Sequence, residues 1–163
     1  MYLDGEELAN TSGYLGLNAT VFQAECRGII AGVKLVETAN IEGKVIFKTD
    51  NQAVLHALNS FVVESKTVKC MRKALNTLAN TNEVVIEWIK AHVGHLGNER
   101  ADELAKEGAE VRVPGCEPIH PLSKAITSRH IKNSIEKKWH LYWLNEVKGC
   151  RQSKLFFPNI ATS

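Results

Sequence analysis

The stretch from Trp88 to Ala109 reads WIKAHVGHLGNERADELAKEGA and joins three physically different parts. Glu83 to Ile89 (EVVIEWI) is rich in β-branched and aromatic residues, which predicts a strand. Lys90 to Gly97 holds two histidines and two glycines, which predicts a loop. Asn98 suits a helix N-cap, and Glu99, Asp102 and Glu103 fall in the first turns, where the helix dipole favours negative charge. A strand, a histidine loop and a helix bringing in a carboxylate near its start make a candidate catalytic corner. The same residues also describe a solvated acidic helix, because charged first turns are common.

Two further carboxylates stand where chemistry would need them. Thr20 to Glu37 has the helical period: Phe22, Ile29, Val33 and Val36 define an apolar face, and Thr20 with Gln23 forms a capping box. Glu25 lies on that face. A buried carboxylate is costly unless a base pairs with it or a metal binds it, and both readings stay open. Asp50 ends a strand predicted over Lys44 to Thr49, just before a helix over Asn51 to Asn59 with Ala53, Leu55 and Leu58 as its apolar positions. A strand end in an open α/β sheet is a common site position, and an aspartate there is also a common helix cap.

The order W-x-K-x-H-x-G-H-x-G-N-E-x-A-D-x-L-A closely resembles the last motif of type 1 ribonuclease H domains, in the version carried by non-LTR retrotransposon polyproteins. F-Q-A-E around Glu25 and T-D-N-Q-A around Asp50 resemble two earlier motifs of that family, and the intervals of 25 and 52 residues between Glu25, Asp50 and Asp102 look natural for it. The resemblance implies that Glu25, Asp50 and Asp102 bind metal and that His92 is the loop histidine that assists catalysis. His95 and Asn98 match accompanying motif positions, with no chemistry assigned. The implied cofactors are two Mg²⁺ or Mn²⁺ ions, which suit hard carboxylate oxygens and can activate water and stabilise the leaving 3′ oxygen of a phosphodiester. The implied substrate is an RNA–DNA hybrid, with the RNA strand chosen through its 2′-hydroxyls.

The family's first catalytic aspartate lies in a D-G motif on its first strand. Asp4-Gly5 precedes Glu25 by only 21 residues, shorter than the family spacing. Asp4-Gly5 reads instead as the turn of a hairpin between Met1–Leu3 and a second strand within Glu7–Leu15. The text YLDGEELANTSGYLGLNATVFQAE then resembles the family's second and third strands running into its first helix, so the opening strand and its aspartate have no counterpart here. Its loss would leave the hairpin without its usual neighbour and expose sheet edges.

A net charge of +2 gives no bulk pull toward nucleic acid, so binding must come from local patches. Ser65 to Asn80 predicts a helix with Val68, Met71, Leu75 and Leu78 inside and Lys66, Lys69, Arg72 and Lys73 to the side; that face is either solvated or touches phosphates. Cys26, Cys70, Cys116 and Cys150 form no CxxC pair, which argues against zinc and for free thiols in an intracellular setting, cytoplasmic or nuclear. No apolar run is long enough to cross a bilayer, and no signal peptide is visible.

The expected architecture is α/β: a ribonuclease H-like mixed sheet flanked by helices over residues 1–113, truncated at its N-terminus. A proline-rich linker (114–121) follows, then a helical, aromatic extension (122–163) carrying Trp139, Trp143 and a K-L-F-F-P segment. That extension resembles the segment downstream of ribonuclease H in retrotransposon polyproteins. It reads as an amphipathic helix that packs on the domain or on another part of the parent polyprotein, with stacking on single strands as the other reading. The expected function is metal-dependent cleavage of the RNA strand of hybrids. Two other readings are a nucleic-acid-binding relic of the same fold and a docking module for a reverse transcriptase.

Overall fold

A computed structural model describes residues 1–91, 94–111, 122–146 and 149–156. His92, the 114–121 linker and the Phe157-Pro158 end of the aromatic tail lie outside the described residues. Contacts divide the chain into two compact units, Met1–Pro121 and Leu122–Ser163, each described by itself.

In the first unit, β1 (Tyr2–Leu3) and β2 (Glu6–Glu7) pair antiparallel around Asp4 and Gly5, at φ +51° and +88°. Two consecutive positive φ values suit the right-handed strand twist, and Asp-Gly tolerates them best. The two-residue turn places β2 at Glu6–Glu7, at the near edge of the predicted range and far shorter than it. Asp4 occupies the turn, as expected.

Helix α1 (Val21–Thr38) starts at the predicted capping box: the Gln23 amide N–H donates to Thr20 Oγ1, and the Thr20 amide N–H donates to Gln23 Oε1. It buries Gln23, Cys26, Ile29, Val33 and Val36, while Phe22 is only half-buried. Strand β3 (Gly43–Thr49) runs parallel to β4 (Asn82–Trp88), with Val45 opposite Val84 and Phe47 opposite Ile86. These four side chains pack on the core, following the alternation of a strand. The other face carries Lys44–Glu83 and Lys48–Glu87 ion pairs around Ile46, which is 46% exposed. Among the described residues the hairpin and the parallel pair are separate two-stranded ladders.

Helix α2 (Gln52–Asn59) is capped by Asn51, whose Oδ1 accepts from the Ala53 amide. Its buried residue is Val54, with Ala57 and Leu58 packed alongside, so its inner face is one position round from the predicted Ala53–Leu55–Leu58 set. Five apolar residues in a short helix fit more than one face, and contact with the core selects the i, i+3, i+4 stripe. Helix α3 (Lys66–Leu78) starts at Ser65 and buries Val68, Met71, Leu75 and Leu78, as predicted. The Arg72 guanidinium donates to the carbonyls of Ala57, Leu58 and Ser60. It thereby satisfies the orphaned acceptors at the end of α2.

Helix α4 (Leu96–Glu110) begins earlier than predicted. His95 is its N-cap, without a side-chain cap bond, and Asn98 sits inside the first turn. Arg100 ties α4 to the hairpin through Glu7 at 3.6 Å, with Glu103 and Glu107 on its other sides. Near the other end, Gly108 is buried against the backbone of Gly13.

The second unit holds α5 (Lys124–Asn145) and α6 (Arg151–Phe156). Trp139 and Tyr142 meet edge to face at 5.8 Å, and Lys154 lies over the Trp143 ring at 6.0 Å. No described residue of α5 is buried. None of the helices is long and apolar enough to cross a membrane, among the described residues.

Candidate active site

The site forms where two strands end and two helices begin or pass. At the carboxyl end of the parallel pair, the Ile89 amide donates to the Thr49 carbonyl at 3.0 Å, closing the ladder. The next residue is Asp50, half-buried. Its backbone carbonyl accepts from the Trp88 indole N–H at 3.1 Å, and its Oδ2 accepts from the Asn98 amide of α4 at 3.5 Å. Asp50 is thus held by β4 from below and by α4 from the side.

Asn98 does not cap its helix: it lies inside the first turn, where its side-chain Nδ2 reaches an aspartate 48 residues earlier, and His95 holds the cap position. Asp50 does not serve as the cap of α2 either, since Asn51 takes that role.

Glu25 projects from α1 toward the same corner. Thr49 Oγ1 donates to Glu25 Oε2 at 3.4 Å while accepting from the Asn51 amide at 3.2 Å. Burial raises the Glu25 carboxyl above its ordinary value, repulsion by Asp50 and by Asp102 raises it further, and only the Thr49 hydroxyl opposes the shift. The salt-bridge reading of Glu25 is therefore not what acts on it; two more carboxylates are. Asp102, half-buried on α4, enters through this repulsion. Beside them, burial and the Glu25 charge push the Cys26 thiol up to about 11, so it stays protonated and unreactive near neutrality.

A carboxylate raised by two others suits a hard divalent cation, whose charge would relieve the repulsion on Glu25. Glu25 and Asp50 would hold it, with Asp102 brought in by α4. Among the described residues, however, no three His, Cys, Asp or Glu side chains converge closely enough to form a ready metal cluster. His92 lies outside the described residues, and His95 is exposed. Sequence reasoning missed Thr49, Trp88 and the amide of Asn98 as positioning groups. Thr49 was within reach of it, because alternation along β3 puts Thr49 on the inward face with Val45 and Phe47.

The ribonuclease H family model matches residues 2–110, two thirds of the chain and the whole of this corner. The chain belongs to the ribonuclease H family. Its fold is the ribonuclease H fold, α/β with a small mixed set of strands and flanking helices. Curated relatives include the proteins named ribonuclease H of Pseudomonas entomophila and Pseudomonas fluorescens. The first is 31% identical over 94 residues, half of this chain and 64% of that protein. The second is 31% identical over 105 residues, 57% of this chain and 67% of that protein. A third, from Pectobacterium carotovorum, is 32% identical over 93 residues and 60% of its own length. The chain thus spans roughly two thirds of the length of the ribonucleases H it matches.

Proposed function

We propose that this ribonuclease H-family chain is an endonuclease domain that cleaves the RNA strand of RNA–DNA hybrids with divalent metal ions. The observation that carries the reading is the placing of Glu25 and Asp50 at the end of the parallel strands, linked through Thr49 and Asn98, with Asp50 and Asp102 both acting on the half-buried Glu25. The order of residues from Trp88 to Ala105 supports a retrotransposon polyprotein as its setting, in an intracellular compartment beside a reverse transcriptase.

In this reading Mg²⁺ or Mn²⁺ supplies charge stabilisation at the phosphodiester. The protein supplies position. Trp88 and Asn98 fix the backbone and carboxylate of Asp50, and Thr49 orients Glu25. Helix α4 sets Asp102, and its own seat is fixed by Arg100 and Gly108. His92, four residues after Trp88 in the sequence, moves protons or helps product leave.

The test is cleavage of a labelled RNA–DNA hybrid by the full chain. Mg²⁺-dependent loss of the RNA strand alone is expected, and Asp50→Asn abolishes it. Cleavage retained by Asp50→Asn would remove that aspartate from the mechanism and sink the reading. A second reading, a nucleic-acid-binding relic of the same fold, is favoured by the absence of a three-residue metal cluster among the described residues. Hybrid binding without any Mg²⁺-dependent cutting would select it.

A further inference from the structure

Away from the carboxylates, the outer face of α3 holds a shallow concavity of about 550 Å³ whose lining includes Lys69, Arg72, Lys73, Asn76, Thr77 and Asn80. We propose that this concavity is a groove for a nucleic-acid phosphate backbone, holding the part of a bound hybrid that extends beyond the catalytic corner. The inference rests on the hybrid-binding reading and adds a second point of contact to it.

Charge is the first argument. Between Glu64 and Glu83 the sequence has no acidic residue and carries Lys66, Lys69, Arg72 and Lys73. Those four positive charges sit in a chain whose net charge is only +2, so the remainder is net negative. A local basic patch is what a nearly neutral protein needs to hold a polyanion. Several exposed lysines elsewhere are matched: Lys44 pairs with Glu83, Lys48 with Glu87 and Lys132 with Glu136. Among the described residues, Lys69 and Lys73 make no such pair, and no carboxylate lines the concavity.

Geometry is the second argument. Lys69 and Lys73 are one turn apart, and Asn76, Thr77 and Asn80 continue the same face toward the end of α3 and beyond. The Thr77 hydroxyl donates to the Lys73 carbonyl at 2.9 Å, which leaves the amides of Asn76 and Asn80 as the neutral donors. Cations followed by side-chain amides match the mixture that contacts phosphate and sugar. Arg72 is the exception: it faces the carbonyls of Ala57, Leu58 and Ser60 and fixes the floor.

Distance is the third. The Asn80 end of the groove adjoins Asn82, where β4 begins, and Trp88 at the other end of β4 touches Asp50. Asn82 and Trp88 stand six strand steps apart, about 20 Å, or roughly six steps of nucleic acid at 3.4 Å each. A duplex seated at the carboxylates therefore needs about that length to reach the Asn80 end of the groove.

The experiment measures binding in EDTA, where nothing is cut, using the full chain and fluorescence anisotropy against salt. The probes are a 14-base-pair RNA–DNA hybrid, a DNA duplex of the same length and a hairpin with a four-base-pair hybrid stem. Lys69→Gln/Lys73→Gln should lower the salt slope for both long probes by about two. Its affinity loss between 50 and 200 mM salt should then be roughly tenfold smaller than that of the wild type. The four-base-pair stem should show no difference. Lys44→Gln/Lys48→Gln removes the same charge from the sheet face and should leave the slope near the wild-type value. An unchanged slope in the α3 variant, an equal fall in the control, or no binding of either long probe by the wild type overturns the groove. So does a polyglutamate peptide that binds in a Lys69/Lys73-dependent way while the nucleic acids do not. Groove-dependent binding without any Mg²⁺-dependent cleavage would defeat the nuclease reading and leave the groove standing.

Discussion

Two glycines, both inside helices, should respond to the same substitution with opposite signs. Gly28 lies on the exposed side of α1, and a Cβ there would have nothing within 4 Å. Gly28→Ala gains helix propensity and restricts the unfolded chain, together stabilising by about 1 kcal/mol. Gly108 in α4 gains the same propensity, but its Cβ would stand 2.7 Å from the Gly13 nitrogen and 3.0 Å from the Gly13 oxygen. Both atoms are backbone and cannot rotate away. Overpacking of this kind costs about 1–3 kcal/mol, so Gly108→Ala should be destabilising by up to roughly 2 kcal/mol net. The difference between the two variants cancels the propensity and isolates the steric cost. Urea unfolding gives it directly; as a melting temperature, each kcal/mol is worth roughly 3–6 °C for a unit of this size. Hydrogen exchange should also show residues near Gly13 losing protection in Gly108→Ala. If Gly108→Ala stabilised as much as Gly28→Ala, the contact that seats α4, and with it Asp102, would not exist.

Three other outcomes follow from the site and its supports. The Glu25 carboxyl is raised in the folded state, so its contribution to stability is full below its unfolded value near 4.5 and is lost as pH rises through the folded value. Glu25→Gln should therefore unfold at higher urea than the wild type at pH 7 in EDTA, with the gap closing toward pH 4; a gap that widens in acid would contradict the repulsion. Mg²⁺ should stabilise the wild type and not this variant. Asn98→Ala removes one donor to Asp50, a loss of about 0.5–1.5 kcal/mol or roughly 2–10-fold in Mg²⁺ affinity by titration, and unaltered affinity would mean the bond does no positioning. Arg72→Ala leaves three carbonyls at the end of α2 without their donor and should cost about 1–3 kcal/mol in urea unfolding, with Arg72→Lys recovering only part, because an ammonium lacks the guanidinium's planar fork.

What was readable in the sequence was local. The capping box of α1, the Ser65 cap and inner face of α3, and the Asp4-Gly5 turn each depend on residues a few positions apart, and each formed as expected. What was not readable depended on distant partners. Asn98 has the chemistry of a cap, but α4 is capped three residues earlier at His95 and the Asn98 amide reaches Asp50 across 48 residues. Val54 beats Leu55 for the core because α2 is short and its packing, not its period, chooses the face. The approach of Gly108 to Gly13 has no signature in either neighbourhood. The three carboxylates proposed to bind metal were named by motif order, which gives residues but not the hydroxyl and indole beside them. The basic side of α3 was visible as a charge pattern; that it is concave, and that Arg72 is already occupied, was not.

The inertness of Cys26 has a practical side. Cys26 is fully buried and holds its proton, whereas Cys70 on α3 is exposed. A thiol reagent should therefore mark Cys70 at once and reach Cys26 only when α1 lifts from α3. The rate of that second labelling is a clock built into the native chain, timing the opening of the helix pair that carries Glu25.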